Sequence, residues 1–316
     1  MIERFRKLAA VAAGLALGII MVGAWVRLSA AGLGCVDWPA CYATNHITGM
    51  DLSGYALPAN LLVALTGGLA LLVIGLFVIA RRNRQQRFQP QRLPVLLLPL
   101  VIIQLLLASQ LTAILNQPIA VLLYLLLALL NFCLLFWLGL RSREQRPASP
   151  PGEARRLLPW IIIGLLLTGI QTMIGGWTAV NYAALACPDI PTCQNSWWPP
   201  ADFYQGFVFW QGLNENVQPL SMGAAAQLAI QLTHRVGALV LLFVITVLSL
   251  KMMRRRSMDI PGRLLLTMLP IQLILGVLQV ALELPLPVVM AHSAGGALLL
   301  ACLLYSLHRV MPRRDR

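Results

Sequence analysis

Charged residues are scarce in this chain of 316 residues. They make up 11% of the sequence, whereas apolar residues make up 59% and the mean hydropathy is +0.76. A soluble domain usually carries about 25% charged residues. The composition therefore excludes a soluble protein and predicts an all-α integral membrane protein. No Asp or Glu lies between Asp51 and Glu144, so a transporter would lack an obvious proton or cation path through this part of the chain.

The few charges are also unevenly distributed. The net charge is +13, and 22 of the 24 Lys and Arg residues fall into five clusters. Segments nearly free of Lys and Arg alternate with these clusters, which is the positive-inside pattern of membrane proteins. The pattern places the clusters on the cytoplasmic face and argues against nucleic-acid binding. The clusters span residues 4–7, 81–92, 141–156, 251–263 and 309–316.

Eight apolar runs between these clusters are long enough to cross a membrane as helices. An even number of crossings places both termini in the cytoplasm. Basic residues precede the first run, as in a signal peptide, but the run is longer than a signal-peptide core and lacks a clear cleavage site. We therefore interpret it as the first spanning helix. The runs cover about 8–27, 57–80, 94–115, 118–140, 157–178, 224–249, 264–283 and 287–307.

The sequence contains an internal repeat. The motif Cys35-x5-Cys41 recurs as Cys187-x5-Cys193, at a constant offset (187 − 35 = 193 − 41). After a longer second outer loop, the repeat continues at a larger offset (237 − 68 = 287 − 118). Two tandem four-helix bundles related by a pseudo-twofold axis along the membrane normal are therefore expected, with halves 1–140 and 157–316 and a cytoplasmic linker 141–156. The larger offset pairs Gly68 with Gly237, Gln110 with Gln279, Pro118 with Pro287 and Cys133 with Cys302.

Two histidines lie inside apolar runs of the second half. His234 precedes Lys251 by the same number of positions as His292 precedes Arg309 (251 − 234 = 309 − 292). At about 1.5 Å per residue, both imidazoles would lie at one depth, roughly 25 Å from the basic helix ends. Two level histidines on facing helices predict axial ligation of a haem iron. The alternative is a pair that hydrogen-bonds across helices for packing. The second ring nitrogens would need partners, and the candidates are Gln231, Thr233 and Ser293.

Two arginines lie outside the basic clusters. Arg27 lies where the first helix meets the outer surface, and Arg235 directly follows His234. A haem carries two propionates, and arginine is well suited to carboxylates in partly desolvated sites. We therefore expect Arg27 and Arg235 to bind the propionates. The alternative for Arg27 is an interfacial cation that extends into water.

The two C-x5-C pairs lie in equivalent outer loops that face an oxidising compartment. Each pair can form a disulfide, Cys35–Cys41 and Cys187–Cys193. A structural role is one interpretation. In the other, the pair exchanges electrons or supplies a thiol nucleophile, which makes Cys35 and Cys41 candidate catalytic residues. No histidine or further cysteine joins either pair in the sequence, which disfavours zinc.

These motifs resemble the haem A synthase family. The resemblance rests on the segment 25–41, on Thr233-His234-Arg235-Val236-Gly237, on Ala291-His292 and on the duplicated eight-helix plan. It implies an oxidoreductase of the bacterial inner membrane that converts the C8 methyl of haem O to the formyl of haem A for cytochrome c oxidase biogenesis. It also implies a haem b whose iron is held by His234 and His292 and through which electrons pass, and a functional contribution from the first-loop cysteines.

The same resemblance implies partners. They are membrane lipid, a haem O synthase that supplies the substrate, and cytochrome c oxidase assembly proteins. The sequence is also compatible with a homo-oligomer.

The first half departs from the family pattern. In the family this half holds the substrate haem with another histidine pair and a nearby glutamate. Here the internal repeat aligns the histidine positions with Leu65 and Leu123, and the glutamate position with Leu62. The resemblance favours an enzyme. The missing first-half ligands favour the alternative, a non-catalytic haem-binding or haem-transfer factor for oxidase assembly.

Overall fold

Eight long helices dominate the computed structural model, which describes residues 2–31, 53–83, 90–110, 117–142, 152–209 and 222–311. All eight are long and apolar enough to cross a membrane. The prediction of an all-α, multi-pass membrane protein is confirmed. Helices α1 to α8 cover, in order, Ile2–Ala30, Ser53–Arg82, Arg92–Ser109, Pro118–Arg141, Leu158–Val180, Ala224–Met253, Asp259–Ala281 and Leu286–Val310.

Proline sets the start of three of these helices. Pro118, Pro159 and Pro287 lie in the first two positions of α4, α5 and α8. Proline suits these positions because its φ angle is already helical and the amide hydrogen that it lacks would have no partner there. The predicted bounds of α4, α5 and α8 are accordingly close to the observed ones. The third run was expected to extend to residue 115, but α3 ends at Ser109.

The helices pack as two four-membered rings. In the first ring α1 and α3 each contact α2 and α4, and in the second α5 and α7 each contact α6 and α8. The rings meet through α1 with α8, α4 with α5, and α4 with α8. If each helix is exchanged with its counterpart in the other ring, α1 with α5 and α4 with α8, the α1–α8 contact becomes the α5–α4 contact. The α4–α8 contact is unchanged by the same exchange. These contacts fit the expected pseudo-twofold axis; the axis and the domain bounds stay predictions.

A stripe of small residues allows α1 to lie close to its neighbours. Ala9, Ala12 and Ala16 are at most 1% exposed and recur every three or four residues along α1. Small residues let helix backbones approach closely in a membrane, where packing stabilises helix association. Ala297 and Ala301 of α8 belong to the same core. The core of the first ring therefore continues into the second.

The outer faces of the helices carry large apolar side chains. Leu71, Leu106 and Phe243 are 72%, 62% and 71% exposed. Such side chains would be unfavourable in water but are favourable against lipid chains. The outward apolar faces therefore agree with a bilayer around the bundle.

The outer segment between α5 and α6 is tied to both helices. Trp177 of α5 donates its indole N–H to the carbonyl of Gly206, at 2.8 Å. The amide of Asp202 donates to the carbonyl of Ala225 at the start of α6, at 2.9 Å. These bonds hold the segment over the outer end of the second ring.

Candidate functional site

A cavity of about 400 Å³ lies inside the second ring and opens towards α1 and α4. Its wall is mostly apolar, and leucines of α4, α6 and α7 contribute much of it. Arg27 lines the cavity from α1, which makes the first half part of the wall. His234 and His292 both line it. The structure therefore brings the two histidines of the apolar runs into one cavity.

His234 is held between a glutamine and a glycine of the neighbouring helix α5. The carboxamide nitrogen of Gln171 lies 2.8 Å from the backbone oxygen of His234 and 3.0 Å from its Nδ1. Gly175 follows Gln171 by one helical turn and so lies on the same face of α5. A Cβ atom on Gly175 would lie 3.0 Å from Cε1 of His234. The ring therefore packs directly on the glycine backbone.

His292 has an equivalent setting against α7. The carboxamide nitrogen of Gln272 lies 2.8 Å from the backbone oxygen of His292. A Cβ atom on Gly276, one turn after Gln272, would lie 3.2 Å from Cε1 of His292. Within the described residues, Nδ1 of His292 is buried without a hydrogen-bond partner. Both histidines thus line the cavity, and each ring packs on a glycine of the neighbouring helix.

Arg235 joins α6 to the loop that the second cysteine pair closes. Cys187 and Cys193 form a disulfide. The guanidinium of Arg235 donates to the backbone oxygens of Cys187, Asp189 and Thr192 at 2.6, 2.9 and 2.7 Å. Three carbonyl dipoles thereby stabilise the positive charge of Arg235, the residue that follows His234 in the sequence. Since Arg235 also lines the cavity, the disulfide loop forms part of its outer cover.

Arg27 lies in the last turn of α1 and lines the same cavity. Its Nε donates to the backbone oxygen of Gly23, at 3.4 Å. The two arginines selected from the sequence therefore border one space, from opposite halves of the chain. The two arginines differ in these hydrogen bonds. Arg235 donates to carbonyl groups of the disulfide loop, whereas Nε of Arg27 donates to a carbonyl group of its own helix.

The carboxylate of Asp189 organises the tip of the disulfide loop. It accepts hydrogen bonds from the hydroxyl of Thr192 and from the amides of Asn195 and Gln194, the amides at 3.0 and 2.6 Å. These bonds favour the ionised form, so the pKa of Asp189 lies below its ordinary value of 3.8, with the Thr192 bond as the largest cause. The loop tip is therefore built around a negative charge.

We expect acid to open the loop tip. A carboxyl group whose pKa is lower in the folded state contributes stability that is fully present above its unfolded pKa and is lost as pH falls through the folded value. Amide exchange at Gln194 and Asn195 should stay protected at neutral pH and rise only below about pH 3.8. Asp189→Asn should show fast exchange at every pH, whereas Asp202→Asn, in the same outer segment, should not. Protection that persists in Asp189→Asn would contradict this assignment.

Comparison with known protein families shows to which family this chain belongs. The model of the COX15-CtaA family, described as a cytochrome oxidase assembly protein, matches residues 6–51 and 64–304. The chain belongs to the COX15-CtaA family. The match covers both halves and includes the helices that carry His234 and His292.

Individual relatives agree with the family match. The chain is 29% identical over 300 residues to a heme A synthase from Shewanella oneidensis, and the alignment covers 90% of each protein. It is 31% identical over 182 residues to a heme A synthase from Caulobacter vibrioides, covering 55% of this chain and 48% of the relative. A heme A synthase from Rhizorhabdus wittichii is 28% identical over 188 residues, covering 58% and 50%.

In this COX15-CtaA chain, the first-half positions that align with the histidines are apolar and differ in direction. Leu65 packs against the core of the first ring. Leu123 is 51% exposed, although it follows Pro118 by the same spacing as His292 follows Pro287. Leu123 is thus exposed where His292 lines the cavity, and the repeat relates sequence positions better than side-chain surroundings.

Buried polar side chains pair between helices of the first ring. Tyr124, next to Leu123, is 2% exposed, and its hydroxyl lies 3.4 Å from that of Thr66. Asn131 donates to the carboxamide oxygen of Gln104, at 2.6 Å. These contacts join α2 to α4 and α3 to α4, as interhelical hydrogen bonds do in membranes. Tyr124 thus has a helix-packing contact.

The remaining sequence predictions for the site have mixed outcomes. The Cys187–Cys193 disulfide is confirmed, whereas Cys35 and Cys41 lie outside the described residues. The expected partners of the ring nitrogens were wrong for His234, because Nδ1 faces Gln171, and Thr233 instead donates to the carbonyl of Ala229.

Gln171 and Gln272 were missed by the sequence reasoning, although a signal exists. Each stands one helical turn before a glycine in an apolar run, as Gln171-x3-Gly175 and Gln272-x3-Gly276. A glutamine in such a run needs a partner inside the protein. The adjacent histidine-bearing helices are the natural place to seek it.

Proposed function

We propose that this protein is a haem A synthase of the bacterial inner membrane, with both termini in the cytoplasm. It would hold a b-type haem between His234 and His292 and oxidise the C8 methyl of haem O to the formyl of haem A. The observation that carries the proposal is the placement of both histidines in one cavity of the second ring. Family membership and full-length similarity to a heme A synthase support the reaction.

The residues of the cavity fit a haem. Among the described residues, no three His, Cys, Asp or Glu side chains gather into a metal site. Two histidines alone therefore suit a metal that brings its own equatorial ligands, as haem iron does. Gly175 and Gly276 leave room for the two imidazole rings, because a Cβ atom on either glycine would lie 3.0 or 3.2 Å from Cε1 of the ring. The apolar walls suit a porphyrin, and Arg27 and Arg235 border the cavity where two carboxylates would need cations.

Each group of the chain has a defined task in this proposal. His234 and His292 would hold the iron from two helices and fix its position relative to the bilayer. Arg27 and Arg235 would bind the propionates, and the leucines would exclude water. When bound, the haem supplies a one-electron redox centre. The disulfide loop would cover the outer side, with Arg235 joining it to the ligand helix.

Haem O would reach the enzyme from a haem O synthase through the lipid phase, and haem A would leave towards cytochrome c oxidase assembly proteins. The substrate haem would need to be bound without a histidine pair, because Leu65 and Leu123 provide no iron ligand in the first half. The cavity that His234 and His292 line is assigned to haem b. Substrate binding in the first half would therefore depend on other groups of that half.

A haem-transfer factor for oxidase assembly is the second candidate. The apolar Leu65, the outward Leu123 and the buried Thr66–Tyr124 pair favour it. Such a factor would carry haem b between His234 and His292 but would not change haem O.

We expect co-expression to distinguish the two functions. The chain, produced with a haem O synthase in a host without its own haem A synthase, should convert haem O to haem A, as measured by haem extraction and mass spectrometry. His292→Ala should yield none, and His308→Ala, a histidine further along the same helix, should retain conversion. Persistent haem O with a full complement of haem b would favour the transfer factor and overturn the enzyme.

A further inference from the structure

The two histidines of the cavity are held by equivalent four-residue units. In the first unit α5 supplies Gln171 and Gly175, and α6 supplies His234 and, one turn later, Gly237. Gln171 donates to the backbone oxygen of His234 at 2.8 Å. A Cβ atom on Gly237 would overlap the carboxamide oxygen of Gln171. The glutamine therefore occupies the space that the missing side chain of Gly237 leaves free.

The second unit repeats these contacts with different helices. Gln272 of α7 donates to the backbone oxygen of His292 at 2.8 Å. A Cβ atom on Gly295, one turn after His292, would likewise overlap the carboxamide oxygen of Gln272. The same residue types thus occupy the same roles twice. This recurrence within one half is independent of the repeat between the halves.

We propose that Gln171 and Gln272 are positioning residues that set the orientation of the two histidine ligands. The inference rests on the proposed binding of haem by His234 and His292. Each carboxamide is inserted into a glycine gap on the histidine-bearing helix and contacts that helix at the histidine itself. Each histidine is thereby held relative to the neighbouring helix that carries the glutamine, as well as relative to its own helix.

The membrane environment makes these contacts strong constraints. A backbone oxygen has two lone pairs, so the histidine carbonyl can accept from Gln and from its own helix together. In an apolar interior, a carboxamide that leaves this position finds no water to replace the bond. The glutamine and the glycine gap therefore act as one unit, in which either residue is ineffective without the other.

The two units differ in one contact, which makes the ligands unequal. Gln171 also lies 3.0 Å from Nδ1 of His234. The amide nitrogen donates to the ring when Nδ1 is unprotonated, because a flip that offered the amide oxygen to an Nδ1–H would remove the hydrogen bond to the backbone oxygen of His234. Gln272 has no such contact, and its oxygen and Nδ1 of His292 are both without a partner among the described residues. His234 thus has a contact to a ring nitrogen that helps to fix its ring plane, and His292 lacks this contact among the described residues.

A double-mutant cycle on the purified holoprotein tests the unit. Gln171→Ala and Gly237→Ala should each weaken haem retention about tenfold, the range expected when the outer partner of a metal ligand is removed. In the double variant the second substitution should add almost nothing, because the added methyl group then meets no carboxamide. Full additivity of the two effects would overturn the proposal.

Spectroscopy separates orientation from simple loss of packing. In a ferric haem with two imidazole ligands, the g values of the electron paramagnetic resonance spectrum depend on the angle between the ring planes. Gln171→Met, which keeps the shape but cannot donate the hydrogen bond, should shift these g values and the midpoint potential as Gly237→Ala does. Gln272→Ala should shift them less. Unchanged g values in Gln171→Met would contradict the positioning role.

A glycine outside the cavity provides the control. A Cβ atom on Gly169 of α5 would meet nothing within 4 Å, and Gly169 does not line the cavity. Gly169→Ala should therefore behave as wild type, whereas Gly295→Ala displaces Gln272 and should lower haem retention. Equal effects of Gly295→Ala and Gly169→Ala would overturn the proposal. Wild type without haem would overturn the proposed function as well, whereas haem-loaded wild type with inert variants overturns the positioning role alone.

Discussion

Replacement of either His234 or His292 by alanine should abolish the low-spin haem b spectrum of the purified protein. This is the largest effect that we expect. Removal of an outer partner of a metal ligand typically weakens binding by about 10–100-fold, so removal of the ligand itself should weaken it by more than about 100-fold. The measurement is the reduced-minus-oxidised spectrum, with haem quantified per polypeptide.

Two further variants distinguish the loss of a haem ligand from a general folding defect. His308→Ala, near the C-terminal end of α8 where His308 packs against Trp137, should keep the haem. His234→Gly should lose the spectrum and regain it when imidazole is added, because the free ring can enter the gap over Gly175. An unaltered spectrum in both alanine variants would remove the histidines as ligands.

The second large effect is expected from Arg235→Ala, which should release the disulfide loop from α6. Hydrogen bonds from a charged group contribute about 1.5–3 kcal/mol each, and three such bonds that share one guanidinium do not add fully. A total of about 3 kcal/mol corresponds to a roughly hundredfold larger population of the detached loop. Reduction of the Cys187–Cys193 disulfide by a small thiol, followed by alkylation of these two cysteines, should accelerate accordingly.

The other cavity arginine provides the control. Arg27→Ala should accelerate reduction less than Arg235→Ala, because the three hydrogen bonds to the carbonyl groups of the loop come from Arg235. Arg235→Lys should restore only part of the protection, since one ammonium group cannot match the planar guanidinium against three carbonyls. If Arg235→Ala reduces no faster than wild type, the loop is held by other contacts.

The sequence was sufficient for the fold because the membrane imposes simple rules. Long apolar runs, basic clusters and prolines at helix starts define α4, α5 and α8 within a few residues. The end of α3 was not predictable, since the apolar run continues past Ser109 and carries no stop signal. The exposure of Leu123 was not predictable either, because a nearly uniform leucine run contains no periodic pattern to show which side faces lipid.

The candidate site was only partly predictable. His234, His292, Arg27 and Arg235 stood out because polar residues are rare in this chain, and the structure places all four around one cavity. The role of Arg235 in the disulfide loop depends on three carbonyl groups, which a sequence does not locate. Gln171 was missed for the same reason, as its partner on α6 lies far along the chain, on another helix.

The most direct measurement on the central claim is the haem content and spin state of the purified wild-type protein. The account predicts one b-type haem per polypeptide, with the ferric low-spin spectrum of two imidazole ligands. A preparation without haem, or one in which the iron is five-coordinate and high-spin, would contradict a haem held between His234 and His292.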